Sequence, residues 1–187
     1  MKMLYFIKDM FNSPYKVVLS HKNENNNKPA LIIVIITALF ASFYRGNMDW
    51  LSAISVSFSL NFCLYFAACL AFKLAAVVNN KEVTFNEILS TWGFSYLPTV
   101  SFIAYIIITH VFFMNTKIGL STPISIVLLA FIIAILIWKV IFYFIELKVV
   151  LKLNLIEMIL ASIVIGSVFV VCYMITGIVF GTKIPIV

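Results

Sequence analysis

The chain has 187 residues, 64% of them apolar and 11% charged, with a formal net charge of +6. Soluble domains average about 25% charged and 45–50% apolar residues, so this composition excludes a water-soluble globular fold. The positive charges are scattered between apolar runs rather than gathered on one polar face, which argues against nucleic-acid binding.

Met1–Phe11 is apolar with Lys2, Lys8 and Asp9 interspersed, the make-up of a short amphipathic helix lying on a membrane surface. Asn12-Ser13-Pro14 breaks it. Lys22-Asn23-Glu24-Asn25-Asn26-Asn27-Lys28 then reads as a solvated linker, so that residues 1–28 form a cytoplasmic segment. The apolar part, residues 29–181, predicts an all-α, polytopic membrane domain of five transmembrane helices, and residues 182–187 a short outer tail. The small-residue pattern of a cleaved signal is missing before Ala41 and Ser42, so the first span reads as uncleaved.

The five expected spans are Ala30–Tyr44, Leu51–Val78, Phe85–Met114, Pro123–Glu146 and Leu155–Phe180. The first, at 15 residues, covers roughly 22 Å and needs local thinning or flanking residues to cross. The second carries Ala67, Ala71 and Ala75 at four-residue spacing, which lets helices approach closely. The third is semi-polar up to Leu97 and then meets Pro98, so an interfacial half-helix with Trp92 and Tyr96 at headgroup level is expected, bending at Gly93–Pro98. The fourth opens with Ser121-Thr122-Pro123, a cap followed by proline, and is expected to project to Lys152. The fifth ends in Gly177-x-x-x-Gly181, a spacing that suits packing within the bundle or a homo-oligomer contact.

With the N-terminus inside and five crossings, the inner side holds Lys2, Lys8, Lys16, Lys22, Lys28, Lys73, Lys81, Lys139, Lys148 and Lys152. The outer side holds Arg45, Lys117 and Lys183, and this imbalance places the N-terminus in the cytoplasm and the C-terminus outside.

Thr84 with Glu87, and Asn154 with Glu157, have capping-box spacing at the starts of apolar runs. Glu146 sits at the end of the fourth span, with Lys139 seven residues earlier on the same face and Lys73 near the same end of the second span. A structural ion pair is expected; snorkelling and a transport or partner site are the alternatives. Asn61 lies near mid-membrane, at a depth matching Tyr105, and an interhelical bond between them is expected, with Ser101 and Thr109 as alternative partners. Cys63, Cys69 and Cys172 lie in spans and read as free thiols. His21 and His110 are the two histidines, and no nucleophile–base pair, phosphate loop or metal motif is present, so no cofactor is expected.

Three stretches carry a family resemblance: Phe11-Asn12-Ser13-Pro14-Tyr15 before the first span, Ser95-Tyr96-Leu97-Pro98 in the third, and Trp138 followed by Glu146-Leu147-Lys148. In these, over roughly Phe11–Phe180, the chain resembles bacterial members of the Yip family, named for interaction with Rab-type GTPases. The resemblance implies a non-enzymatic protein of the cell membrane, a scaffold or accessory subunit beside other membrane proteins such as ABC exporters. The Asp-Leu-Tyr-Gly-Pro-type motif of eukaryotic members is missing, so GTPase binding is not carried over. The rival class is a transporter or channel subunit for a small solute, which needs a continuous polar path; Asn61, Lys73, Lys139 and Glu146 are few for that.

The lysine distribution predicts that a cysteine replacing Thr182, in a Cys-free background, reacts with an impermeant reagent added outside intact cells. Labelling from the cytoplasmic side alone would overturn this orientation.

Overall fold

The computed structural model describes residues 8–10, 12–24, 26–43, 49–115 and 122–180, with backbone alone for 23–24, 110–115, 122–125, 173 and 176–180. Most of the expected surface segment Met1–Phe11 and all of the outer tail lie outside these residues, as do Gly181 and the surroundings of Gly177. Among the described residues the fold is all-helical, with no strand. We number the helices α1 (Pro14–Glu24), α2 (Lys28–Phe43), α3 (Trp50–Val78), α4 (Phe85–Trp92), α5 (Tyr96–Asn115), α6 (Thr122–Ile145) and α7 (Leu155–Phe180). A single 3-10 turn, Gly93–Ser95, joins α4 to α5, and a π-helical turn, Glu146–Val150, extends α6.

Four stretches are long and apolar enough to cross a membrane: Trp50–Val78, Phe85–Thr109, Ile126–Val150 and Leu155–Cys172. Helix α2 is apolar but, at 16 residues, shorter. Large side chains such as Leu70, Ile137, Val140 and Ile163 face outward along these helices. An exposed apolar surface this extensive suits contact with lipid, not water.

The main packing runs from helix to helix in the order α6, α5, α2, α3, α7. Helix α3 presents a strip of small residues to its neighbours, with Ala53, Ser57, Ala68, Ala71 and Ala75 all buried; of the expected alanine row, Ala71 and Ala75 are buried and Ala67 is half-buried. At one end, α1, α4, the 3-10 turn and the π turn pack together over the ends of α2 and α3. Met10, Val17 and Val18 anchor the N-terminal segment in that core. The expected solvated linker is therefore shorter than read: α1 runs through Glu24, and Lys22 is buried.

Local chemistry explains the element ends. Asp49 caps α3 by accepting from Ser52 N at 3.0 Å, and these hydrogen bonds hold its carboxyl below the usual range. The other end of α3 closes with Asn80 left-handed, φ 54°, while Asn80 N and Lys81 N donate to Val77 O and Ala76 O. This is a Schellman closure, and asparagine tolerates its left-handed position. Both expected capping boxes are present. Glu87 N donates to Thr84 Oγ1 at 3.2 Å, and Thr84 N to Glu87 Oε2 at 2.7 Å. Glu157 N donates to Asn154 Oδ1 at 2.9 Å, and Asn154 N to Glu157 Oε2 at 2.7 Å.

The third segment is interrupted where glycine and proline suggest, though the break falls at Gly93–Ser95. Pro98 lies in the first turn of α5, where its missing N–H leaves no gap in the ladder. Helix α4 is packed into the protein: Ile88, Ser90, Thr91 and Trp92 are buried, and the Trp92 ring centroid lies 4.5 Å from that of Phe72. The fourth helix does not project to Lys152. Its π turn ends at Val150, the chain reverses through Lys152 at φ 55°, and Leu147, Val150, Leu151 and Leu153 are buried.

Gly93 is needed for space. A Cβ there would stand 2.5 Å from Ala30 Cβ and 2.8 Å from Ala30 backbone atoms. Gly166 on α7 has nothing within 4 Å of the same position. Gly93→Ala is expected to cost about 1–3 kcal/mol by overpacking, and Gly166→Ala, in a helix interior with open space, to cost nothing and to add up to about 1 kcal/mol. Thermal unfolding of both proteins in one detergent checks this; a Gly93→Ala protein as stable as its parent would contradict the close α2 contact.

Candidate functional site

The polar groups concentrate where α1, α4 and the π turn meet, and helix-end chemistry explains why. The last carbonyls of any helix lack intrahelical donors. At the end of the π turn, Lys22 Nζ supplies one, donating to Val150 O at 2.8 Å and to Val149 O at 3.3 Å. A cation at this terminus also meets the negative end of the helix dipole. Burial pulls the Lys22 ammonium below the ordinary lysine range; Glu87 and, more weakly, Glu146 act in the opposite direction.

Glu146 opens the π turn and is 2% exposed. Its Oε1 accepts from Thr91 Oγ1 at 2.9 Å, and that hydroxyl is also 2.9 Å from Glu87 O. A hydroxyl has one proton to give and lone pairs to accept with. Thr91 can therefore donate to an ionised Glu146 carboxylate, or turn its proton to the Glu87 carbonyl and accept from a protonated carboxyl. Neither Lys139 nor Lys73 makes the expected ion pair with Glu146. Lys139 Nζ donates to Thr99 Oγ1 on α5 at 3.1 Å, and Lys73 Nζ donates to Val83 O at 2.7 Å. Each ammonium meets an oxygen on the neighbouring element: α5 lies beside α6, and the α3–α4 loop folds back on α3. Among the described residues the ion pair formed is Lys81–Glu157, 3.0 Å, between that loop and the start of α7.

Asn61 and Tyr105 are not partners. Asn61 Nδ2 donates to Ser57 O in its own helix at 2.8 Å, and the Tyr105 ring packs 5.3 Å from Phe131 on α6. Ser101 and Thr109 likewise donate within their own helix, to Leu97 O and to Tyr105 O. The residue of the third segment that reaches Asn61 is Tyr96, whose hydroxyl donates to Asn61 O at 3.4 Å while its ring meets Tyr65 edge-on. Equal depths below an assumed boundary put the register nine residues, or roughly 14 Å, too far along α5. Beyond Tyr96, α2 lies between α3 and α5. Tyr65 in turn donates its hydroxyl to Leu89 O, tying α3 to α4.

Several residues of this end gave no sequence signal of the surroundings they have in the fold. Lys22 sits in an Asn-rich run that reads as solvent-exposed, and its acceptors are more than a hundred residues away in sequence. His21 Nδ1 donates to Val17 O at 2.9 Å, with its ring edge-on to Phe94. Asn27 and Asn86 are joined by a side-chain hydrogen bond. Trp92 Nε1 and Ser95 Oγ are buried with no hydrogen-bond partner in the structure. The three cysteines form no disulfide; Cys69 is buried, Cys172 half-buried and Cys63 exposed on the outer face of α3. Among the described residues, no three His, Cys, Asp or Glu side chains are gathered as metal ligands.

The chain matches no known family, no curated protein and no solved structure.

Thr91→Val leaves Glu146 buried without its donor and is expected to cost about 1–3 kcal/mol. Adding Glu146→Leu should recover part of that loss, because the two side chains form one unit. Unfolding of the two single variants and the double variant checks this; strictly additive losses would mean that the pair is uncoupled.

Proposed function

We propose that this chain is a non-enzymatic, multi-pass protein of the cell membrane, of Yip-like type, serving as a scaffold or accessory subunit beside another membrane protein such as an ABC exporter. The observation that carries this reading is the use made of the polar groups in the bundle. Lys73, Lys139, Glu146, Tyr65 and Tyr96 each bond to a different element of the same chain, most often to backbone carbonyls, and the Asn61 amide bonds to its own helix. Groups used in this way hold helices together and are not arranged along a solute path. No nucleophile stands beside a base among them.

In this reading the chain crosses five times with the N-terminus in the cytoplasm. Helix α2, roughly 24 Å long, crosses with help from flanking residues. The crowded end with α1 faces the cytoplasm and holds Lys16, Lys22, Lys81, Lys148 and Lys152, in keeping with the lysine distribution.

Mild-detergent purification of the full chain, followed by identification of the proteins that leave with it, tests the proposal. The expected outcome is one membrane partner in fixed ratio that survives a second purification through the partner's own tag. Solute flux through liposomes holding the purified chain alone would replace this reading with that of a transporter.

A further inference from the structure

Helix α6 is the least buried of the four long helices. Along its body its main neighbour is α5, and Leu129, Phe131, Ile133, Leu136, Ile137, Val140 and Phe144 are exposed. Partway along α6, at the edge of this face, the sequence places a cation. Lys139 is half-buried at the seam of α5 and α6, with buried Ile135 and Phe142 on one side and exposed Leu136 and Val140 on the other. Its single hydrogen bond goes to the neutral hydroxyl of Thr99. No carboxylate pairs with it, since the ion pair among the described residues joins Lys81 to Glu157. Ionisable groups within spans are costly and generally pair with one another.

The position of Lys139 narrows what can supply the missing anion. It lies eleven residues before Val150 and seventeen after Thr122, roughly 16 Å and 25 Å from the two ends of the α6–π-turn run. Counted from Glu146, where the fourth span is expected to end, Lys139 lies roughly 10 Å inside the hydrocarbon core, below the level of the lipid phosphates at its surface. A second copy of this chain has no suitable acid. Asp9, Glu24, Asp49, Glu82, Glu87 and Glu157 lie at helix ends or in loops, and Glu146 is buried on Thr91.

We propose that the seam at Lys139 is the docking face for a membrane-spanning helix of a different protein, one that carries a carboxylate near mid-bilayer. That helix would lay its apolar side along Leu136, Val140 and Phe144 and set its carboxylate against the Lys139 ammonium. The proposal rests on the accessory-subunit reading and adds the chemistry of the partner.

The test uses the full chain reconstituted in phosphatidylcholine vesicles with a photoreactive, Leu-rich spanning peptide that bears one central Glu. Matched peptides carry Gln or Leu at the same place. The expected result is about fivefold or more cross-linking of the Glu peptide over the Leu peptide, mapped to α6. Lys139→Met should abolish that preference and Lys139→Arg should retain it. If Lys139→Met does not fold, the Glu-against-Leu comparison and the mapped site on the parent chain still decide. Equal capture of the Glu and Leu peptides, or a preference that survives Lys139→Met, overturns the proposal. So does loss of preference when phosphatidylglycerol replaces part of the phosphatidylcholine, which would make a lipid phosphate the preferred anion. Lys139-dependent cross-linking of the chain to itself would assign the seam to a second copy and also overturn it. Failure here leaves the accessory reading intact, because co-purification of a partner does not depend on Lys139.

Discussion

Where α2 begins, Ala30 rests directly on the backbone of Gly93 with no side chain between them. That contact sets the position of the 3-10 turn, and the turn distributes its neighbours to three different places. Thr91, just before it, reaches Glu146 on the π turn; Phe94, within it, meets His21 of α1; Tyr96, just after it, reaches Asn61 and Tyr65 of α3. A tight 3-10 turn changes side-chain direction with each residue, so three successive elements can be addressed within six residues. Close-packed interiors transmit small displacements, and a methyl group at Gly93 would disturb all three connections together.

The π turn depends on the same assembly. Widening α6 by one residue per turn at Glu146–Val150 leaves Leu151 N on Glu146 O and Leu153 N on Leu147 O. The carbonyls of Val149 and Val150 remain, and they are met by Lys22 from the opposite end of the chain. A buried lysine is costly when its donors are idle and tolerable when two carbonyls accept from it and a carboxylate, Glu87, acts in its favour. The N-terminal helix is thus integral to the bundle: α1 closes the end of α6, and its Val17 and Val18 complete the core beneath.

Much of this was legible in the sequence because it is local. Helix α7 has the expected bounds, and α2, α3 and α6 begin or end within two residues of them, since Pro, Gly, Asn and charged residues punctuate the apolar runs. Both capping boxes were readable because every atom in them lies within four residues. What could not be read is register and long-range satisfaction. Asn61 was matched to Tyr105 by depth alone, as though all helices were straight and began at one plane, whereas Tyr96 is the residue opposite it. Lys22 looked solvated because nothing nearby in sequence needs a cation; the orphan carbonyls that need it arise from a π turn that no local pattern announces. The contact of Trp92 with Phe72 across the core is likewise long-range and has no local signature.

The two halves of the bundle differ in how they are held. Around Gly93 several polar groups bond across elements, Thr91 to Glu146, Tyr65 to Leu89 and Tyr96 to Asn61, and the largest fully buried side chains, Tyr65, Phe72 and Phe94, lie there. Away from it, Ser55, Ser101, Thr109 and Ser167 donate to carbonyls of their own helices, so these hydroxyls add little between helices. Apolar side chains gain no hydrophobic advantage by leaving lipid for one another, so helices joined only by such contacts associate weakly. Helices α6 and α7, at the two ends of the packing order, are therefore anchored at the crowded end and face outward over most of their length. An edge helix of that kind keeps its position in the fold while its outer face remains open to another helix. Lys139 lies on α6, at the edge of that outer face, which connects the tightly built end to the surface where a partner is proposed to bind.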